Sequence, residues 1–422
     1  MIQVLGRIVG VMFGGLVGVA ESTANLVGRG LEPAYNWLDR RIPLRRAQER
    51  LLFDPVPERG AWWYTFGAAI YTLLIIQFLT GIFLLMYYVP SWNEARSSIL
   101  YIENDVFLGW LVRGLHYWGQ VALVLLVGIH MLRTFFSGAY KPPRELTWIL
   151  GVTLLILMVA TAFTGGCIRW DQSGYFDTVV GTTIAGWTPI IGPFLAKLWR
   201  GGDVVGPLTL TRTFTFHVWL FPALLFIIAT VHIGLVIIQG QFGSWINYEP
   251  EPPGTPPPDE DERAALEKVK HEVLDPRSRK VNVPSRATWF FPYHVYKEGV
   301  VSMVVFVGVF IAAFFFKIPV EQPVDPATTT YAPTSMWFFL FEDQMFLIFP
   351  GAWMIPAGNV GVDTLMIILL YFLPFIDRSP GLKPYQRPMA IAFMFVVAFS
   401  VLVLAMLAAS RVYNYSFINS PR

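Results

Sequence analysis

Charged residues are scarce in this 422-residue sequence: Asp, Glu, Lys and Arg make up 14% of it, against roughly a quarter in soluble domains. Apolar and aromatic residues make up 55%, including 34 Phe, 17 Tyr and 15 Trp. So few charges cannot shield so much apolar surface from water. The composition therefore excludes a soluble protein and indicates a polytopic membrane protein.

Cysteine is also scarce, because Cys167 is the only one in the sequence. A single cysteine excludes an internal disulfide framework, a zinc site built from several thiolates, and covalent haem attachment through Cys-x-x-Cys-His. The formal net charge is +2, without a dense basic stripe, so no nucleic-acid partner is expected. Any haem must therefore be held by ligands other than cysteine.

Seven apolar segments are long enough to cross a bilayer, which takes about 20 residues. They cover about 63–88, 110–133, 147–167, 214–239, 297–317, 359–376 and 388–409. We therefore predict an all-α polytopic membrane protein, with a transmembrane bundle of four helices and three further transmembrane helices.

Changes in composition divide the chain into four parts. Residues 1–33 form an apolar, Gly-rich N-terminal extension, predicted to be a membrane-surface helix, with a signal peptide as the alternative. Residues 34–245 hold the first four spans, and 289–422 hold the last three. The intervening segment 246–288 contains EPEPPGTPPPDEDE and is typical of a solvated linker.

Basic residues follow an alternating pattern along the spans. They precede the first span and recur between spans two and three and between spans six and seven, as Arg40, Arg41, Arg45, Arg46, Arg50, Arg133, Lys141, Arg144, Arg378, Lys383 and Arg387. By the positive-inside rule, the N-terminus and the linker are cytoplasmic and the C-terminus is outside. The predicted location is the cell (inner or plasma) membrane.

Four of the six histidines lie within two predicted spans: His116 and His130, 14 residues apart, and His217 and His232, 15 apart. One histidine in an apolar helix is usually a hydrogen-bonded core residue, but ionisable groups that recur at membrane depth mark function. At roughly 100° per residue, each pair lies within about 60° of one helix face. The two rings of each pair are about 21–22 Å apart along the axis. Two such helices side by side form two stacked bis-histidine sites, which suit two low-spin b haems and electron transfer.

Glycines and arginines accompany these histidines. Glycines 14 residues apart recur in the first and third spans, as Gly67 and Gly81, and Gly151 and Gly165. Glycine lets a planar macrocycle approach the backbone, although close helix packing is the alternative explanation. Arginines at span ends lie three to five residues from a histidine, as Arg113, Arg133 and Arg212. They suit haem propionates, or they mark only snorkelling and topology.

Several motifs together resemble a known family. They are WYTFGAAIYTLLIIQFLTGIFLLMYYVP, GWLVRGLHYWGQVALVLLVGIHMLR, KPPRELTWILGV, TGGCIRWDQSGYF and LTLTRTFTFH. Over about 35–245 the chain resembles cytochrome b of the bc and b6f quinol-oxidising complexes, and its 15-residue histidine interval is similar to the b6 branch. From about Trp289 it resembles the three-helix subunit IV, with PVDPATTTYAPTSMWFF parallel to that subunit's Pro-x-Asp-Pro and Pro-Glu-Trp-Tyr.

The resemblance implies specific ligands and partners. His116 and His217 would hold a low-potential haem near the outer face, and His130 and His232 a high-potential haem near the cytoplasm. Both haems would be non-covalent. Quinol would be oxidised at an outer site and quinone reduced at an inner one, with proton translocation. A Rieske iron–sulfur protein and a c-type cytochrome or equivalent acceptor would be partners, in a homodimeric complex within the lipid bilayer.

Three positions depart from the family pattern. Met336 stands where the family has the glutamate that is thought to accept a quinol proton, beside a retained Trp337. The nearest replacement bases are Glu342 and Asp343, with a water chain or a degenerate site as alternatives. Thr65 replaces the b6 cysteine that tethers an extra haem, and Ile237 falls where b6 has a basic residue at the inner quinone site.

Two other functions stay open at this point. One is a di-haem membrane anchor for a dehydrogenase or hydrogenase, which needs no Rieske partner; the other is a carrier or channel without cofactors. The amphipathic segment at about 172–205 and the attached three-span half favour a subunit of a quinol:cytochrome c (or similar acceptor) oxidoreductase.

Overall fold

The computed structural model describes residues 30, 32–33, 36–37, 55–57, 61–239, 287–329, 331, 333–349 and 354–419. The chain divides into two compact units, residues 1–56 with 250–293, and residues 57–249 with 294–422. The described residues include a two-stranded sheet of β1 (Pro55–Pro57) and β2 (Ala287–Trp289), which belongs to the first unit except for Pro57. The surface helix expected in 1–33 and the linker expected in 246–288 lie almost wholly outside the described residues.

The second unit is helical. Its helices are α1 (Phe66–Leu85), α2 (Ala95–Asn104), α3 (Gly109–Phe136), α4 (Glu145–Cys167), α5 (Gln172–Gly186), α6 (Gly192–Arg200), α7 (Pro207–Thr215), α8 (Phe221–Gln239), α9 (Val295–Phe315), α10 (Leu340–Ile348), α11 (Met354–Ile376) and α12 (Pro388–Asn419). A π turn at Phe216–Leu220 joins α7 to α8, and a 3-10 turn at Trp337–Phe339 precedes α10. The predicted all-α fold is confirmed.

Six helical segments are long and apolar enough to cross a membrane. They are Trp62–Leu85, Gly109–Phe136, Glu145–Cys167, Pro207–Ile237, Phe290–Phe315 and Pro388–Arg411. The remaining predicted span is α11, whose apolar part is the shorter Val360–Ile376. Each predicted span thus falls mainly on a helix, although residues 86–88 and 316–317 lie beyond the ends of α1 and α9. The chain is a multi-pass membrane protein.

A four-helix bundle is built from α1, α3, α4 and α8, because α1 packs on α3, α3 on α4, and α4 on α8. Each helix contributes an apolar residue to one buried core, as Leu73, Leu123, Met158 and Leu225. Helix α9 packs on α1 and α3 and adds Val309 to that core. We call the end at which α1 ends and α3 begins the upper end, and the opposite end the lower end.

The upper end carries two short helices, α5 and α6, in the segment predicted to be amphipathic. Asp171 begins α5, and its Oδ1 accepts a hydrogen bond from the Gly174 N–H at 2.9 Å. Its Oδ2 accepts one from the Glu321 N–H, also at 2.9 Å. This fully buried carboxylate therefore ties the loop after α9 to the start of α5.

The lower end is held by a buried ionic cluster of Tyr140, Lys141, Asp377 and Arg387. Lys141 Nζ lies 3.2 Å from Asp377 Oδ1, and Arg387 Nη1 lies 3.6 Å from Asp377 Oδ2. The Tyr140 hydroxyl donates to Asp377 and accepts from Arg387 Nη1 at 2.7 Å. Lys141 and Arg387, expected only to set orientation, are therefore almost wholly buried.

Burial alone would raise the pKa of Asp377. Hydrogen bonds from Ser379, Tyr140 and Lys141 to this carboxylate instead lower its pKa to about 2. Asp377 follows α11, whereas Tyr140 and Lys141 follow α3. The charged form of Asp377 thus joins the four-helix bundle to the last two helices.

Candidate functional site

The four membrane histidines meet in two pairs inside the bundle. At the upper end the ring centroids of His116 and His217 are 6.1 Å apart, and the rings are nearly perpendicular. Toward the lower end, His130 and His232 are close enough to interact electrostatically. These are the partners that the helical spacing predicted.

Each of the four predicted glycines faces one of these imidazoles. A Cβ added to the glycine would lie within 3.6 Å of the Cε1 atom of the facing ring, in the pairs Gly81–His116, Gly165–His217, Gly67–His130 and Gly151–His232. The tightest pair is Gly165–His217, at 2.7 Å. A side chain on any of these glycines would compete with the ring, or with a flat group bound to it, for the same space.

Hydrogen bonds at the upper pair fix which ring nitrogen carries the proton. His217 Nδ1 lies 2.9 Å from the carbonyl oxygen of Thr161, so Nδ1 must donate. His116 Nδ1 lies 3.0 Å from the hydroxyl of Thr80, which itself donates to the Ile76 carbonyl at 2.7 Å. The Thr80 oxygen therefore accepts from His116, and both Nε2 lone pairs stay available to a metal.

The π turn at Phe216–Leu220 begins one residue before His217. A π turn has one more residue per turn than an α-helix, so it absorbs one residue without rotating the segments beyond it. His217 and His232, 15 residues apart, can thus present the same relative orientation as the 14-residue pair on α3. The sequence showed the unequal intervals but not the turn that reconciles them.

The three predicted arginines already have protein partners. Arg113 is buried and lies 2.6 Å from Glu103 Oε2, and it also donates to the Ile318 carbonyl at 3.2 Å. The guanidinium of Arg133 lies 3.7 Å from the Tyr64 ring centroid. Arg212 donates to the Leu198 carbonyl. A haem propionate would have to share these arginines with the groups named.

These residues fit b-type haem at both levels. Each level offers two facing imidazoles and two glycines whose missing side chains leave room for a flat ring. In the upper pair the hydrogen bonds occupy Nδ1, so both Nε2 atoms would be available to bind an iron. The chemistry of the donor set therefore agrees with the predicted bis-histidine sites.

The loop expected to border an outer quinol site packs against the upper end of α4. Met336 fills the space beside Gly166, where an added Cβ would lie 1.9 Å from the methionine Cε. The Phe339 ring contacts Phe163 with a centroid distance of 5.7 Å. Trp337 lies in the 3-10 turn and is 37% exposed. Aromatic rings thus border this loop, with methionine at the position where the family pattern has glutamate.

The two candidate bases of this loop, Glu342 and Asp343, lie in different environments. Asp343 accepts hydrogen bonds from the Ser335 N–H at 3.1 Å and from the Ser335 hydroxyl at 2.5 Å. Glu342 is mostly buried, and burial, together with repulsion from Asp363 and Asp343, raises its pKa to about 8. Asp363 on α11 was missed, although an acidic residue in an apolar span is itself a signal of function.

The other two departures have simple local roles. Thr65 is fully buried, and its hydroxyl donates to the Trp62 carbonyl at 2.7 Å. Ile237 lies in the last turn of α8 and is partly buried. Neither position offers a ligand for an extra haem or a charge for an inner quinone site.

Comparison with known proteins places this geometry in context. A family model described as cytochrome b/b6/petB matches residues 53–241. The chain is 40% identical over 221 residues to the menaquinol:cytochrome c reductase cytochrome b subunit of Bacillus subtilis (strain 168), covering 50% of this chain and 99% of that protein. It is 36% identical over 211 residues to cytochrome b6 of Prochlorococcus marinus (strain NATL1A), covering 50% and 97%.

A solved structure extends the similarity beyond these residues. A chain of a hyperthermophilic respiratory Complex III matches with a TM-score of 0.71 and 27% sequence identity. The match covers 89% of this chain and 91% of that chain. The similarity therefore includes both the bundle and most of the remaining helices.

Proposed function

The chain belongs to the cytochrome b/b6 family, and on that premise we propose that it is the membrane cytochrome b of a Rieske-type complex that oxidises menaquinol and delivers electrons to a c-type cytochrome or equivalent acceptor. The observation that carries this proposal is the pairing of four imidazoles inside the bundle, each facing a glycine. Each pair would hold a haem iron through its two imidazoles, and a haem held in this way would supply electron transfer.

The residues of this chain would hold two non-covalent b haems. His116 and His217 would ligate the upper one, and His130 and His232 the lower one. When bound, the two haems supply one-electron carriers at two depths of the membrane. The chain orients the upper ligands through the Thr161 carbonyl and the Thr80 hydroxyl. Charge on the propionates would be balanced by Arg113, Arg133 and Arg212.

The outer quinol site would lie beside Met336, Trp337 and Phe339. The rings of this loop and of Phe163 offer an apolar wall for a quinol ring. Glu342 would accept a quinol proton, because a base with a pKa near the working pH is the most effective one. Asp343 would hold the loop through its two hydrogen bonds from Ser335.

A Rieske iron–sulfur protein is the partner that the chemistry requires. Quinol gives up two electrons. The two b haems would carry one of them to quinone at the lower end. The other must leave through a separate carrier at the upper end. The upper end would then face outside, the N-terminus and linker would be cytoplasmic, and two copies would form the complex. Residues 34–245 and 289–422 would be its two membrane domains.

Haem stoichiometry tests the proposal. The purified chain should carry two haems in a pyridine haemochrome assay, none of them covalent. His116→Ala or His217→Ala should remove one, and His130→Ala or His232→Ala should remove the other. His271→Ala, in the linker sequence, should retain both. One haem per wild-type chain, or a covalently bound haem, would overturn the proposal.

Purification of the intact complex separates this function from that of a di-haem dehydrogenase anchor. We expect an iron–sulfur protein to co-purify, and cytochrome c to be reduced at the expense of menaquinol. A complex that lacks such a protein and contains a dehydrogenase or hydrogenase subunit would instead support the anchor.

A further inference from the structure

A buried carboxylate, that of Asp177, lies on α5 near the proposed quinol site. Its side chain is 6% exposed, and it interacts electrostatically with Cys167 at the end of α4. The residue before Cys167 is Gly166, against which Met336 packs. Asp177 thus lies near the position where this chain has a methionine in place of a proton-accepting carboxylate.

A line of hydroxyl groups leads from Asp177 toward the surface. Ser173 Oγ donates to Asp177 Oδ2 at 3.4 Å. The hydroxyl of the half-buried Tyr331 interacts with Ser173 and donates to Glu321 Oε2 at 2.9 Å. Glu321 is exposed. Two hydroxyls, each able to give one proton and take another, therefore connect a buried carboxyl with an exposed one.

The packing around this line keeps its members in place. Ser173 and Asp177 are four residues apart and share one face of α5. Arg169 Nη2 donates to Ser173 Oγ at 3.0 Å. The Tyr331 ring stacks on Phe176 with a centroid distance of 5.1 Å. A tyrosine held by its ring keeps its hydroxyl available for exchange.

Several charged or titratable groups face Asp177. They are Arg169, Asp171, Glu321, Tyr331 and Cys167. Burial is the largest influence and raises the pKa of Asp177; Arg169 opposes it, while Asp171 and Glu321 add to it, for a pKa of about 7. Arg169 also lies 3.7 Å from Asp171 Oδ1, so its charge is shared. Asp177 can therefore both take and release a proton near neutral pH.

We propose that Asp177 accepts one of the two quinol protons and releases it through Ser173 and Tyr331 to Glu321 and the outside. This role rests on the proposed quinol oxidation. One quinol O–H bond breaks, and an O–H bond forms on a carboxylate oxygen of Asp177. The second proton goes to Glu342, and the two electrons leave one each, to the iron–sulfur partner and to the b-haem branch. The balance is one quinol to one quinone, two protons and two electrons.

The substrate has two hydroxyls, and the chain offers two acceptors on separate helices. The hydroxyls of a para-quinol point in opposite directions from the ring. Asp177 and Glu342 lie on different helices, α5 and α10, with the Met336–Trp337 turn preceding α10. Each base can thus serve one hydroxyl.

The test uses the intact complex with Asp177→Asn, Tyr331→Phe and the control Asp105→Asn, an exposed acidic residue at the same end. Menaquinol:cytochrome c turnover in the wild type should rise with pH in two steps, near pH 7 as Asp177 ionises and near pH 8 as Glu342 ionises, because each carboxyl must be ionised to accept a proton. Asp177→Asn should lose the step near pH 7, keep the step near pH 8, and turn over about tenfold or more slowly at neutral pH, toward the roughly 10²-fold typical of a lost general base. Tyr331→Phe keeps the aromatic ring but removes the hydroxyl, so it should slow turnover near pH 7 less than Asp177→Asn does. Asp105→Asn should match the wild type.

A second measurement does not depend on turnover. Infrared difference spectroscopy during a pH titration should show a protonated-carboxyl band that disappears near pH 7, separate from the band of Glu342 that disappears near pH 8 and is identified by its loss in Glu342→Gln. The band that disappears near pH 7 should be absent from Asp177→Asn and present in Tyr331→Phe and Asp105→Asn.

Wild-type turnover and pH profile in both Asp177→Asn and Tyr331→Phe would overturn the relay. So would a wild-type complex without the titrating band. If Asp177→Asn does not assemble, Tyr331→Phe and Asp177→Glu decide, because Glu retains the carboxyl and should keep the pH-dependent rise. A wild-type complex that has the band but does not oxidise quinol would instead contradict the proposed function.

Discussion

Gly165→Ala should weaken the upper haem site selectively. The added Cβ would lie 2.7 Å from His217 Cε1 and 3.2 Å from its Nδ1. Carbon atoms pack at roughly 3.5–4.0 Å, so the ring must move by about 1 Å. Such a shift strains the 2.9 Å hydrogen bond from His217 Nδ1 to the Thr161 carbonyl.

The size of the effect follows from these two contacts. Overpacking a buried site costs about 1–3 kcal/mol, and a lost hydrogen bond about 1 kcal/mol. A total of about 2–4 kcal/mol lowers the affinity of the upper site for haem roughly 30- to 700-fold, since 1.4 kcal/mol is tenfold. The His130–His232 site, at the other end of the bundle, should keep its haem.

Haem content per chain and reduced-minus-oxidised spectra measure this outcome. We expect about one haem per chain in Gly165→Ala and two in Gly234→Ala. Gly234 is the matched control, because it lies on α8 with no neighbouring atom within 4 Å of an added Cβ. Two tightly bound haems with wild-type spectra in Gly165→Ala would refute the reasoning that glycine keeps space open at His217.

Three further predictions concern other parts of the molecule. Glu342→Gln should lose the rise of quinol turnover through about pH 8 and reduce the rate roughly 10²-fold, whereas Asp343→Asn should keep the pH profile; equal profiles for the two variants would contradict this. Asp377→Asn leaves Lys141 and Arg387 as buried cations without their carboxylate, so thermal unfolding should show a loss of about 3–5 kcal/mol. Because the pKa of Asp377 is lowered to about 2 from an unfolded value of about 3.9, this stabilisation is complete above about pH 4 and is lost as the pH falls toward 2. A difference between variant and wild type that persists unchanged at pH 2 would argue against the charge. Thr80→Val removes the acceptor of the His116 Nδ1–H and lowers the basicity of that ligand, so redox titration should show a higher midpoint potential for the upper haem alone.

The helices could be predicted from sequence because the bilayer demands a fixed length of apolar chain. Periodicity within one helix also predicted which face carries His116 and His130. The pairing of His116 with His217 required one further assumption, that the two helices lie side by side. The glycines followed from the same spacing and face the rings with which they were grouped.

The polar partners could not be predicted, because they join residues that are remote in the sequence. Nothing local indicates that Arg113 pairs with Glu103, or that Lys141 meets Asp377. The neighbours of Glu342 likewise depend on how α10 packs against α11. Tertiary packing sets both the partners of each carboxylate and its burial. Partners and burial together determine which carboxylates can exchange protons.

The π turn at Phe216–Leu220 also bears on how such chains can change length during evolution. A residue inserted into a regular α-helix rotates everything beyond it by about 100°, which would turn one histidine away from the bundle centre. Confined to a single wide turn, the insertion leaves both histidines facing inward. A deletion within 218–220 should therefore convert the turn into regular helix and preserve both ligands. When this chain, with its 15-residue histidine interval, is aligned with a chain that has a 14-residue interval, the one-residue gap belongs inside this turn.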